Sequence, residues 1–286
     1  MRIAHLIIAH KNPEQLLRLL KRLKHVNSGL FVHLDSKVSI DKFRFLENEV
    51  NCTFIKRRIK CHWGGNSVLM SIINSVKEIL DANEKYDYIN LISGQDYPLM
   101  DSNRMIAFFH KNIGSNYIAF DQTFQSEWWQ LARNRYEQYH FTDLNFKGRY
   151  LLQNIVNAIL PKRKFHHFNN LYGGSSSSWW TITSECATYL VNVIEQTRNL
   201  KKFLTYTWCS DEFIVTTIIM NSRFRSSVVN NNLRYIDWSE GKARPKILTI
   251  RDLDSIEASN MMFARKFDVD VDTSILDILD SRIENK

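Results

Sequence analysis

Ile3-Ala-His-Leu-Ile-Ile-Ala9, then His10-Lys-Asn-Pro13, a leucine-spaced run from about Glu14 to Leu23, and Leu30-Phe-Val-His-Leu34 together decide the fold class. The first and last stretches are short apolar runs, the pattern of strands buried on both faces. The run between them has helical spacing, and Pro13 stands where a first helical residue would. Strand, helix and strand in that order predict a parallel crossover unit. The pattern continues outward. Cys52–Ile55 is expected as a short strand, Asn66–Leu80 as a helix (Val68, Leu69, Ile72, Ile73, Val76, Ile79, Leu80), and Tyr88–Ile92 as another strand. Ligands of such sheets lie beyond the carboxyl ends of the strands. His10-Lys-Asn, Asp35-Ser-Lys37, Trp63-Gly-Gly65 and Ser93-Gly-Gln-Asp96 are therefore the loops expected to meet a nucleotide.

The chain has 286 residues, 44% hydrophobic and 24% charged, which is ordinary for a folded globular protein long enough to bury a large core. Nine glycines and four prolines leave little room for disordered linkers. A formal net charge of +8 points to anionic partners: phosphorylated ligands, nucleic acid or an anionic membrane surface. The basic clusters are short (Lys56-Arg-Arg58 with Lys60, and Pro161-Lys-Arg-Lys164) and read either as solvated faces or as contacts to anionic lipid or acceptor. Cys52, Cys61, Cys186 and Cys209 have neither metal-ligand nor disulfide-framework spacing, so reduced thiols in a cytoplasmic protein are expected. The apolar N-terminal stretch, interrupted by His5, is too short for a signal peptide, and no segment approaches a membrane span.

From about 120 to 172 the chain is less regular. Trp128, Trp129, Arg133, Arg135, Tyr136, Tyr139 and His140 mix aromatic and basic groups, which suits either a sugar-binding groove or the packing of an irregular subdomain. No nucleic-acid motif or basic stripe accompanies them, so nucleic acid is not expected as a partner. Tyr172-Gly-Gly-Ser-Ser-Ser-Ser-Trp-Trp-Thr-Ile-Thr183 reads as an ordered loop near a ligand that enters a short strand. It lacks the ending of a phosphate loop. In Thr207-Trp-Cys-Ser-Asp-Glu-Phe213 two adjacent carboxylates, Asp211 and Glu212, open a long apolar run read as a buried helix. Capping by Ser210 and Asp211 explains them. So does a carboxylate whose pKa is set by apolar surroundings for proton abstraction.

Nine blocks, in order over nearly the whole chain, resemble the core-2/I-branching β-1,6-N-acetylglucosaminyltransferases and the related peptide xylosyltransferases, in the compact form of bacterial members. They are Ala9–Pro13, Val32–Lys37, Trp63–Gly65, Leu91–Leu99, Ser178–Thr183, Ser210–Phe213, Leu233–Trp238, Pro245–Thr249 and Phe263–Asp268. The resemblance implies an α/β, GT-A-like (Rossmann-like) fold: a single large domain over 1–286 with a mostly parallel central sheet flanked by helices. Residues 1–120 would be its nucleotide-binding half and 121–286 its acceptor-binding and catalytic half. It implies a UDP-sugar donor, inversion at the anomeric carbon, and no divalent metal or other cofactor. The family's catalytic base lands on Glu212, and its diphosphate lysine on Lys266. The second diphosphate cation falls by spacing on Ala243, so the role passes to Arg244 or Lys246.

The chemistry agrees with these roles. Inverting transfer needs a base for the acceptor hydroxyl, and fixed cations such as Arg244 and Lys266 can take a metal's place at the departing diphosphate. A metal-dependent relative would carry Asp-x-Asp where Ser93-Gly-Gln-Asp96 stands. The strings Asp252-Leu-Asp254 and Asp268-Val-Asp-Val-Asp272 are read as surface or helix-start carboxylates. Nucleotide contacts are expected from His10, Asp35, Trp63 and Gly64, and donor-sugar or acceptor contacts from Asp96, Trp180, Arg135 and Trp238. The expected activity is metal-independent, inverting transfer of a sugar, foremost N-acetylglucosamine, from a UDP-sugar to a glycan hydroxyl in surface-polysaccharide or lipid-linked-oligosaccharide synthesis. UDP-xylose, UDP-glucose or UDP-galactose as donor, or a non-catalytic glycan-binding protein, are the alternatives. The basic clusters would favour a peripheral position on the inner face of the membrane.

Overall fold

The computed structural model describes residues 1–121 and 126–284. The chain begins with β1 (Ile3–Ala9), α1 (Pro13–Leu23), β2 (Ser28–Leu34), α2 (Phe45–Val50), β3 (Thr53–Phe54), α3 (Asn66–Leu80), β4 (Tyr88–Ser93), β5 (Asp96–Pro98) and α4 (Ser102–Lys111). It continues with β6 (Asn116–Ile118), α5 (Glu127–Glu137), α6 (Arg149–Ile159), β7 (Trp180–Thr183), α7 (Ser184–Gln196) and α8 (Arg198–Thr205). The last elements are α9 (Ile214–Met220), β8 (Val228–Val229), β9 (Arg234–Ile236), α10 (Leu253–Ala258), β10 (Phe263–Arg265) and α11 (Ser274–Glu284). Two compact units result. One comprises Met1–Lys56, Asn83–Gly114 and Leu233–Lys286, and the other Arg57–Ala82 and Ser115–Asn232.

The first unit contains the α/β core that the opening sequence predicts. Its strands run β3-β2-β1-β4, all parallel, with Leu6 of β1 aligned to Phe31 of β2 and to Leu91 of β4. β1 and β2 are buried almost throughout, which is why they read as continuous apolar runs rather than alternating ones. In α1, Pro13 occupies the first turn, Glu14 follows it, and Lys21 and Arg22 lie in the last turn, all favourable to the helix dipole. Leu16, Leu19, Leu20 and Leu23 form its buried stripe. Gln15, also buried, is fully used: its Nε2 donates to the carbonyls of Gly94 and Phe267, both at 3.2 Å, and its Oε1 accepts from Val269 N at 3.0 Å. A small second sheet has β10 between antiparallel β5 and parallel β9.

A buried polar chain runs under the first sheet. Arg234 of β9 donates to Asn90 Oδ1 at 2.5 Å and to the Leu91 carbonyl at 2.8 Å, and Asn90 Nδ2 meets His5 Nδ1 at 2.9 Å. With the Asn90 oxygen taken by the guanidinium, its amide nitrogen must donate, so His5 Nδ1 accepts and the ring is neutral. Burial, reinforced by the Arg234 charge, pushes the His5 pKa down to about 3.

In the second unit β6 lies between antiparallel β7 and parallel β8, and α3 and α9 pack on α7. All residues of α9 are buried. Arg163, from the basic cluster read as a solvated face or lipid contact, instead turns inward. It donates to the carbonyls of Gln138 (3.0 Å), Tyr206 (2.6 Å) and Phe203 and lies over the Phe203 ring, a structural tie between the ends of α5 and α8.

The His5 network gives the fold an acid dependence of known sign. Its folded pKa lies below the unfolded 6.5, so its contribution is complete above pH 6.5 and is lost as pH falls from there toward 3. Urea titrations across that window should show the native chain losing up to about 1.4 kcal/mol more per pH unit than His5→Gln. Equal slopes would show that His5 protonates freely in the folded state.

Candidate active site

In the first unit His10 and Arg244 lie within electrostatic reach of Lys266. Lys266 follows β10 directly, is half-buried, and its ammonium makes no hydrogen bond or ion pair among the described residues. Partial burial, and then the charges of Arg265, Arg244 and Lys11, pull its pKa below the ordinary lysine range, with Asp268 opposing them. Asp268, the nearest carboxylate of that set, is itself engaged. It accepts from Lys11 Nζ and, at 3.1 Å, from Asn12 Nδ2, and its pKa is held down by those contacts against its burial. It is therefore buried and ion-paired rather than the surface carboxylate read from the sequence. Asp252 and Asp272 do serve helix starts: Asp252 closes a capping box with Thr249, and Asp272 accepts from Ser274 N at 2.9 Å.

Arg244 and Lys246 differ in what each already holds. The Lys246 ammonium bonds Asp252 at 2.5 Å and lies 3.8 Å from Asp237, whereas Arg244 is exposed with no ion pair among the described residues. His10 leaves the end of β1, and partial desolvation with the Lys266 and Lys11 charges lowers its pKa against the Asp35 charge. Asp35 ends β2, is buried, and accepts from Lys37 N at 2.9 Å, with Lys37 Nζ 3.4 Å away. Trp238 is half-buried, and its indole N–H is buried with no partner among the described residues. Asp96 is 0% exposed: it accepts from Ser93 Oγ at 2.7 Å and faces Arg265 Nε at 3.2 Å. The sugar or acceptor contact expected of Asp96 does not fit that position, because its charge is spent inside the frame.

In the second unit the carboxylate pair has a different local structure from the helix start expected of it. Ser210–Glu212 form a separate turn of 3-10 helix, Phe213 (φ −143°) breaks the path, and the α-helix begins only at Ile214. The turn starts from Cys209 in the left-handed region (φ 47°), and its cap uses no side chain, so the Ser210 cap reading fails. Glu212 projects toward α5. Its Oε2 accepts from Trp128 Nε1 at 3.0 Å and pairs with Arg135. Trp128 and Arg135 are seven residues apart, two helical turns, so both leave one face of α5. The Arg135 guanidinium lies between indoles, 5.1 Å from Trp128 and 4.9 Å from Trp208. Burial, with the Asp211 charge, raises the Glu212 pKa, while Arg135 and Trp128 pull it back. Burial likewise raises Asp211, against a 2.7 Å hydrogen bond from Ser178 Oγ in the serine loop.

Two glycines make room for this arrangement. Gly64 has φ +74°, and a Cβ there would lie 2.1 Å from the Trp208 indole nitrogen. Its carbonyl accepts from Cys209 N at 2.7 Å. Trp63, 63% exposed, meets Trp208 edge-on at 5.5 Å. Trp63 and Gly64 thus precede α3 and buttress the Glu212 neighbourhood, away from any strand end. Gly173 passes so close to the turn that a Cβ would come within 2.6 Å of the Glu212 carbonyl. Trp180, expected at the acceptor, is 0% exposed in β7 and belongs to the core. Sequence reasoning did not single out Trp208, Ser178 or Lys11 for this site. The spacing of Trp128 and Arg135 was the available signal for a shared helix face.

The second unit thus holds a half-buried carboxylate whose proton affinity is raised by desolvation, and the first a half-buried lysine with no ion pair among the described residues. The Core-2/I-Branching enzyme family model matches residues 3–262. The chain belongs to the Core-2/I-Branching enzyme family. Members of this family are glycosyltransferases, and both halves of the chemistry suit sugar transfer. The chain is 24% identical over 303 residues to xylosyltransferase 2 of Rattus norvegicus, covering 98% of the chain and 33% of that protein. It is 21% identical to a xylosyltransferase of Ciona intestinalis over 99% of the chain and 34% of the relative. The chain therefore spans about a third of the length of these curated relatives. Solved structures similar to it include mouse xyloside xylosyltransferase 1 (12% identity, 92% of this chain and 97% of that one, TM-score 0.41). Another is the WbbM bifunctional glycosyltransferase (13% identity, 92% and 45%, TM-score 0.43).

Because Gly173 has no room for a methyl group, Gly173→Ala should destabilise the chain by about 1–3 kcal/mol in urea unfolding. Gly94→Ala, whose nearest neighbour would be the Ala9 Cβ at 3.4 Å, should change it far less. Equal effects would show that the 173 strand of the turn relaxes freely.

Proposed function

We propose that the chain is a metal-independent, inverting glycosyltransferase that moves N-acetylglucosamine from a UDP donor to a glycan hydroxyl in surface-polysaccharide or lipid-linked-oligosaccharide synthesis. One observation carries the reading: the Lys266 ammonium has no hydrogen bond or ion pair among the described residues, and the Arg265, Arg244 and Lys11 charges each act on it more strongly than the Asp268 carboxylate that opposes them. A cation crowded by cations is unfavourable unless a ligand brings the opposite charge. A diphosphate does so, and Arg244 adds a forked donor for it. His10, within electrostatic reach of Lys266, and Asp35 at the next strand end are the candidates for the nucleoside.

In the proposed reaction Glu212 takes the acceptor hydroxyl's proton as that oxygen bonds the anomeric carbon. The bond from this carbon to the β-phosphate oxygen breaks, its electron pair leaves with UDP, and Lys266 and Arg244 meet the developing charge. Trp128 and Arg135 both bond Oε2 of Glu212, and the Cys209 thiol also bonds the carboxylate. Support for a metal-free reaction comes from Asp96: the single carboxylate in the Asp-x-Asp slot is consumed by Ser93 and Arg265. A second donor, UDP-xylose, is favoured by the names of the curated relatives. The chain's own basic clusters favour a peripheral, cytoplasmic-face contact with anionic lipid.

A panel of UDP-sugars assayed with EDTA present tests the whole reading. Turnover of UDP-N-acetylglucosamine is expected. Selective turnover of UDP-xylose would move the donor, and a collapse restored only by manganese would overturn the metal-free step. Glu212→Gln should bind donor and lose transfer by about a hundred- to ten-thousand-fold. Lys266→Ala should weaken UDP binding about tenfold or more. Turnover should fall as acid protonates Glu212, at a pH above the ordinary carboxylate range. Arg135→Met should move that limb to higher pH, because the guanidinium stabilises the ionised form.

A further inference from the structure

Helix α6 is attached to its unit the wrong way round for an ordinary surface helix. Its inward contacts are amides: Gln153 Oε1 accepts from Phe141 N at 2.9 Å, and Asn157 bonds both Tyr139 N (2.8 Å) and the Tyr139 carbonyl (2.9 Å). None of its residues is buried. Its outward side carries Leu151, Leu152, Ile155 and Ile159, with Leu151 67%, Ile155 46% and Ile159 74% exposed. Positions 151, 155 and 159 stand four residues apart, one stripe along the helix. A soluble surface helix normally shows the reverse pattern, and a contiguous apolar stripe in water is unfavourable unless something covers it.

The charges around the stripe indicate what that is. Lys147 and Arg149 lie at the start of α6, and Lys162 and Lys164 just past its end. No acidic residue occurs between Asp143 and Glu185. The nearest carboxylate contact, Glu137, is 3.1 Å from Lys162 and leaves the other three basic groups uncompensated by it. Exposed Phe146 precedes the helix, and Tyr150 opens it. An apolar stripe bracketed by cations and aromatics matches an anionic lipid surface, whose headgroups meet the charges while the acyl boundary covers the stripe. A second copy of this chain would bring the same cations against each other. At eleven residues α6 is too short to span a bilayer, and no described helix is long and apolar enough to do so.

We propose that α6 is an interfacial helix that lies in the headgroup region of an anionic membrane and docks the protein there through Leu151, Leu152, Ile155 and Ile159. This gives the lipid contact proposed above a definite element, and it holds whichever sugar is transferred. The test is co-sedimentation of the full chain with vesicles of phosphatidylcholine alone and of phosphatidylcholine with phosphatidylglycerol. The native chain should pellet with the anionic vesicles, less as salt rises. A Leu151→Gln, Ile155→Gln, Ile159→Gln variant should bind about a hundredfold more weakly. Lys147→Glu with Lys164→Glu should also bind weakly and lose most of the salt dependence. Both variants should keep the native melting temperature and the native rate of UDP-sugar hydrolysis in solution. If hydrolysis is absent throughout, the sugar-transfer reading fails while the vesicle result still stands. Three results would overturn the proposal: no pelleting of the native chain, equal pelleting of the triple-glutamine variant, or a native dimer in analytical ultracentrifugation that this variant abolishes.

Discussion

A half-buried carboxylate paired with a guanidinium is the constraint around which the second unit is built. Glu212 needs Arg135 and Trp128 to tolerate burial at all, since an ionised carboxylate without partners would be forced to bind a proton. Arg135 in turn is held between two indoles, Trp208 requires a glycine at 64, and the turn carrying Glu212 requires a glycine at 173. Each step places a demand on the next, so the neighbourhood behaves as one packed object. Opposing influences act on Glu212: burial raises its proton affinity, and the guanidinium lowers it.

The first unit solves the opposite electrostatic problem. Its carboxylates are committed one by one: Asp96 to Arg265 and Ser93, Asp252 to Lys246, and Asp268 to Lys11 and Asn12. What remains is an excess of positive charge around Lys266. Fixed cations arranged before a ligand arrives need no reorganisation when charge develops on a leaving group, which is the physical advantage such a centre has over mobile surface lysines. The same partnering explains why the Asp-x-Asp strings near the C-terminus are not spare carboxylates. Two of them hold helix starts, and one holds the lysine next to the cationic centre.

Helix α6 shows that amphipathicity read from sequence leaves direction open. Its pattern has an apolar face and a polar face, and the default reading turns the apolar face inward. Here Gln153 and Asn157 find backbone partners at Phe141 and Tyr139, and the apolar face is the one left outside. Arg163 is the converse case. It stands in a basic cluster, yet it turns in to donate to three carbonyls at and near the ends of α5 and α8.

Local sequence determined the α/β architecture of the first unit, because hydrophobic period and helix-end signals act over a few residues. Ile3–Ala9 forms with the bounds its pattern predicts and Pro13 opens α1, and in the second unit Asn66–Leu80 likewise keeps its predicted bounds. Glu212 and Lys266 were also legible in the sequence, since each stands in a block that resembles the family's sequences. Only the tertiary structure decided which charges are spent and which remain: Lys246 against Arg244, Asp96 in the frame, Trp180 in the core, and Trp63-Gly64 against Trp208 instead of at a strand end. It also separated Ser210–Glu212 from the α-helix that follows. The reason is physical. Burial, and pairs such as Asp96 with Arg265 or Glu212 with Arg135, depend on partners tens of residues away, beyond any short window of sequence.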